Sequence, residues 1–178
     1  MNAQRVTKGL AAAIGMAIAA CIQAAPVTYY GKLDGASESP PIVSDGRGFT
    51  LVVVDTVAHT LSVSVEFSGL SSNATAAHIH CCITFTPTAG VATQTPYFAA
   101  FPVGVTAGTY DHVFDTSQAA TFSAAFVTAN GGVGGAEAAL AAGIDGEKAY
   151  FNIHTANWPG GEIRSFLFKD TVFNDGFE

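Results

Sequence analysis

The chain has 178 residues, of which only 12% are charged, with seven Lys and Arg against fourteen Asp and Glu for a formal net charge of −7. That balance excludes nucleic acid and anionic lipid headgroups as electrostatic partners, since both are held by basic surfaces. Three cysteines are too few for a disulfide scaffold, and the length suits one domain that buries its own core.

Residues 1–24 read as a signal peptide: Arg5 and Lys8 form a basic head, residues 10–20 an apolar run, and small residues lead up to Pro26. The run is shorter than the roughly 20 residues of a spanning helix, so no transmembrane span is expected. Cleavage after Ala24 leaves 154 residues with five basic and fourteen acidic side chains, a formal charge of −9. A second route stays open, because Ile18-Ala19-Ala20-Cys21 also resembles a bacterial lipobox with Cys21 as the lipid-anchored first residue. Either route places the domain outside the cytoplasm, secreted or in the periplasm and cell envelope.

Residues 27–33 are rich in β-formers and read as a first strand, closed by Asp34-Gly35. Pro40 and Pro41 keep residues 37–44 out of a central ladder. The apolar run 49–54 and the alternating run 61–67 read as a hairpin, with His59 solvated in the connection. Residues 76–82 (AAHIHCC) form the next strand, and 83–108 are irregular with three prolines, either a long loop of the kind in which function often sits or a plain insertion. Strands are expected at 109–115 and 122–128. An Ala-rich helix is expected at 134–142, with Gly143 as its stop. Residues 149–155 form a strand, 156–161 a turn around Trp158-Pro159-Gly160-Gly161, and 162–168 a last strand returning beside it. The acidic tail 170–178 frays. About eight short strands with one short helix give an all-β, antiparallel β-sandwich of immunoglobulin-like or Greek-key type.

Alternation along a strand puts His78 and His80 on one face of the first histidine run, and Asn152 and His154 on one face of the second. If the two strands are neighbours, three imidazoles converge. Neutral imidazoles suit zinc or copper and would leave an open coordination position. Cys82 continues the His78 and His80 face in a regular strand and is a candidate thiolate ligand, while Cys81 points away. Two other outcomes stay open: a histidine network satisfied by Asn152, Thr155, Glu162 or backbone carbonyls, with Glu162 and Arg164 as an ion pair, and a vicinal disulfide between Cys81 and Cys82. No nucleophile elbow, phosphate loop or outstanding carboxylate pair supports catalysis.

Several stretches together resemble the CHRD domain, the module named after chordin and also found in bacterial secreted proteins. They are Leu33-Asp34-Gly35-Ala36 with Glu38 and Pro40-Pro41, Gly46 and Gly48, Gly69-Leu70, Ala77-His78-Ile79-His80, and Tyr150-Phe151-Asn152-Ile153-His154-Thr155 followed by Pro159-Gly160-Gly161-Glu162-Ile163-Arg164. On this resemblance residues 25–169 are one CHRD-like domain, in which Asn152, Thr155, Gly160, Gly161, Glu162 and Arg164 form a structural motif. Many family members follow the first histidine pair with Gly and a small residue, where this chain has Cys81-Cys82. The expectation is a non-catalytic binding or structural module whose partner is an extracytoplasmic protein or small ligand. The alternative is an exported copper- or zinc-binding protein that uses the histidines for metal handling or redox chemistry.

Overall fold

The computed structural model describes residues 25–83 and 88–169, so the expected signal peptide, the candidate lipobox cysteine Cys21 and the acidic tail lie outside the described residues. Eight strands follow in chain order: β1 (Val27–Asp34), β2 (Arg47–Asp55), β3 (Thr60–Ser68), β4 (Ala74–Cys81), β5 (Gly108–Asp115), β6 (Ala149–Thr155), β7 (Ile163–Phe166) and β8 (Phe168–Lys169). The helices α1 (Ala124–Ala129) and α2 (Val133–Asp145) fall between β5 and β6. None of the described helices is long and apolar enough to cross a membrane.

The expected hairpin forms, with Val52 opposite Val63, and the two histidine runs are neighbours in antiparallel register. The expected pair of stacked sheets is replaced by one antiparallel sheet of order β4-β6-β7-β1-β2-β3-β5, curled into a half-barrel. The last strand, expected as one piece, splits around the buried Leu167, so that β7 pairs β6 and β1 while β8 pairs β1 alone. β1 thereby joins the β4-β6-β7 side of the sheet to the β2-β3-β5 side.

The sheet curls because its two edges, β4 and β5, are consecutive in sequence and the long irregular stretch ties them together. Phe98, fully buried, stacks 5.9 Å from Phe151 on β6 and lies 5.2 Å from Phe114 and 6.1 Å from Tyr110 on β5. The amides of Phe98 and Gly104 donate to the carbonyls of Ala77 and Ala74 on β4, and the Tyr110 hydroxyl donates to Ala99 O. The connection therefore closes the open side of the half-barrel over a core built from alternate residues such as Leu33, Val63, Phe67, Ile79 and Ile153.

Residues 122–128, expected as a strand, instead enter α1. Phe122 and Phe126 fit the four-residue spacing of a helix as well as the alternation of a strand, and Ser123 caps the first turn by accepting from Phe126 N at 3.2 Å. The second helix runs past Gly143 to Asp145, so Gly143 is interior and not the expected stop. Its purpose is contact: a Cβ at Gly143 would overlap the sulfurs of both Cys81 and Cys82. Gly143→Ala is accordingly expected to destabilise the domain by about 1–3 kcal/mol, as overpacked sites do, measured by urea denaturation. The loss should shrink in a Cys81→Ala, Cys82→Ala background; an equal loss there would rule out the sulfur contact as its cause.

Candidate functional site

Register dictates the site. His78 lies opposite Asn152 and His80 opposite Tyr150, with Ala76 opposite His154, so side chains of the same parity on β4 and β6 share one face. Asn152 and Tyr150 in turn face Arg164 and Phe166 on β7. The intervening Ala77, Ile79, Phe151 and Ile153 are fully buried in the core. The histidines thus occupy the face opposite the core, and they are covered there: His78 and His80 are buried and His154 half-buried.

The three rings converge. Their centroids are 5.2, 5.7 and 5.8 Å apart, and one nitrogen from each lies within 4.8 Å of the others. His78 Nε2 is 2.7 Å from Pro96 O, His80 Nδ1 2.9 Å from Ala89 O and His154 Nδ1 2.9 Å from Pro159 O. A carbonyl can only accept, so each of these nitrogens carries the proton and donates. The opposite nitrogens, His78 Nδ1, His80 Nε2 and His154 Nε2, are left as lone pairs. The first and last are 3.3 Å apart, and His80 Nε2 is buried with no hydrogen-bond partner among the described residues.

Electrostatics keep these rings neutral. Burial pushes His78 down to about 4, against the pull of the Pro96 carbonyl and with a further push from His154. His80 is likewise lowered to about 4, chiefly by burial, with Ala89 opposing and His154, His78 and Arg164 adding to the depression. His154 moves in the same direction, again by burial, with the Pro159 carbonyl opposing.

Beside the histidines lies a second buried polar group. Asn152 Nδ2 donates to Glu38 Oε1 at 2.7 Å, Arg164 Nε donates to Ser37 O, and the Arg164 and Glu38 charges stand 3.9 Å apart. Tyr150 lies between β4 and β7, with His80 stacked on its ring at 4.8 Å and the Arg164 guanidinium 4.7 Å from its centroid. Burial raises the Glu38 carboxyl to about 7, although Arg164, Asn152 and Ser39 all favour its charged form. Asn152 Oδ1 and Arg164 Nη1 are buried without a hydrogen-bond partner among the described residues. Gly161 closes this region from one side: its φ is +129°, and a Cβ there would overlap the Asn152 amide and approach Glu38 Oε1 to 2.7 Å.

Other expected site residues fall elsewhere. Cys82 does not continue the histidine face, because β4 ends at Cys81 and the two cysteines form the vicinal disulfide, whose sulfurs face the Ala139 carbonyl and Gly143 on α2. Sulfur bonded to sulfur offers no thiolate. Glu162 and Arg164 do not pair: Glu162 is fully buried and accepts from Ser44 Oγ, Ser71 N, Ser71 Oγ and Thr155 Oγ1, while Arg164 turns to Glu38. Thr155 is thus a partner of Glu162 and not of the histidines. Gly160 is open, with nothing within 4 Å of an added Cβ. Sequence reasoning missed the site roles of Glu38 and Tyr150, and the three carbonyls that orient the rings. Glu38 has a faint signal, a carboxylate just before Pro40-Pro41, but a carbonyl in an irregular stretch leaves none.

A family model described as the CHRD domain matches residues 29–167. No curated protein and no solved structure matches the chain.

Proposed function

The chain belongs to the CHRD-domain family, and from that membership we propose that it is an exported, non-catalytic binding module that takes its ligand on the polar face of β4, β6 and β7. CHRD domains are typically extracellular, in keeping with the signal-like residues 1–24. One observation supports the choice of face: His80 Nε2, Asn152 Oδ1 and Arg164 Nη1, three buried polar atoms without a partner among the described residues, all belong to it. Buried polar groups are nearly always satisfied, so three unmet demands on neighbouring strands mark a place where something else supplies the bonds.

The test uses the full chain expressed without a tag in a Gram-negative host. The expected result is a product in the extracytoplasmic fraction starting at Ala25, or lipid-modified at Cys21. Its native mass should exceed its denatured mass by a discrete adduct, weakened in Arg164→Met. An unprocessed cytoplasmic product, or identical native and denatured masses, would count against the reading.

A further inference from the structure

We propose that His78, His80 and His154 hold a divalent transition-metal ion, zinc or copper, with one coordination position left for a small exogenous ligand. The inference rests on reading this face as the binding face and names what binds there.

The argument starts from proton placement. All three ring protons are committed to backbone carbonyls, so the 3.3 Å approach of His78 Nδ1 to His154 Nε2 sets lone pair against lone pair. No hydrogen bond forms between two acceptors. A cation turns the repulsive arrangement into an attractive one without moving any proton. His80 Nε2 adds a third lone pair with no other partner among the described residues.

Distances agree. Metal–nitrogen bonds of about 2.0–2.1 Å at tetrahedral angles put ligand nitrogens roughly 3.3 Å apart. His78 Nδ1 and His154 Nε2 already stand at 3.3 Å, and one nitrogen of each of the three rings lies within 4.8 Å of the others, a spread that ring movement of about 1.5 Å closes. Donation of the other ring N–H to a carbonyl is also how metal-bound histidines are oriented and their tautomer fixed. A purely structural cluster needs no such common focus.

The donor set selects the ion. Nitrogen without carboxylate excludes calcium and magnesium, which take oxygen. The disulfide removes sulfur, leaving three neutral imidazoles that suit Zn²⁺ or Cu²⁺.

The decisive experiment takes the full chain, exported and untagged, strips it with a chelator, and titrates it with Co²⁺ as a spectroscopic probe and with Zn²⁺ and Cu²⁺ by calorimetry. One ion per chain is expected, with d–d absorption from Co²⁺ of low coordination number and affinity for the ions reduced roughly 100-fold or more in His154→Gln. His154 is only half-buried, so this variant keeps the fold, and circular dichroism verifies it. His112→Ala, outside the cluster, should bind as the wild type does. Binding that is absent from the folded wild type, or undiminished in His154→Gln, overturns the metal site. A non-metal adduct in the native mass would still uphold the binding face, so the two readings fail separately.

Discussion

Replacing Glu162 with alanine is expected to lower folding stability by about 3–5 kcal/mol. Glu162 is fully buried, yet its carboxyl is held below the usual carboxylate range: burial pushes it up, but hydrogen bonds from Ser44, Thr155 and Ser71 outweigh that push. Four donors from three separate segments end on its two oxygens, at 2.6–2.9 Å. Truncation would strand all four at once. Glu162→Gln should recover part of the loss, because an amide oxygen still accepts although its nitrogen cannot. Urea denaturation of both variants checks this, and an alanine variant within 1 kcal/mol of wild type would show that water serves the donors equally well.

Acid is expected to weaken the metal-free protein in a specific window. His78 and His80 titrate near 4 when folded and near 6.5 when unfolded, so the unfolded chain binds protons first, and stability is lost as pH falls from about 6.5 towards 4. Glu38 works the other way. Its folded value of about 7 lies above its unfolded 4.5, so its contribution is full below 4.5 and is lost as pH rises through 7. Two histidines against one carboxyl leave a net uptake of about one proton on unfolding between pH 4.5 and 6.5, a slope of about 1.4 kcal/mol per pH unit. His154 shifts in the same direction and steepens it. Glu38→Gln removes the opposing group and should steepen the slope by about one proton, roughly 1.4 kcal/mol per pH unit. Denaturant midpoints at pH 4.5, 5.5 and 6.5 supply the measurement, and a flat profile in the wild type would mean that the rings are solvated.

The fold was legible where periodicity is local. The alternation of Leu61, Val63, Val65 and Phe67 against Ser62, Ser64 and Glu66 identifies β3 and its hairpin with β2, because a half-buried strand must show its two faces in order. It failed at residues 122–128, where short apolar spacing fits a helix and a strand alike, and at Gly143, where a glycine that looks like a helix stop is a contact demanded by distant sulfurs.

At the site, strand parity places His78 and His80 on one face of their run and His154 on one face of the other, but that the two runs pair, so that the three rings converge, is decided by the register of β4 on β6. Parity could not assign Cys82, since its place depends on where the strand ends and on a bond to the residue before it. Nor could it join Arg164 to Glu38 instead of Glu162, a choice made by the segment before Pro40 folding across β6 and β7. The sequence by itself therefore determined most of the strands, their two faces and which face each of the three histidines takes within its own run, all consequences of a two-residue repeat. Only the tertiary structure decided the single curled sheet, the partner of each buried charge and the tautomer of each ring, because these depend on contacts between residues tens of positions apart that no local pattern records.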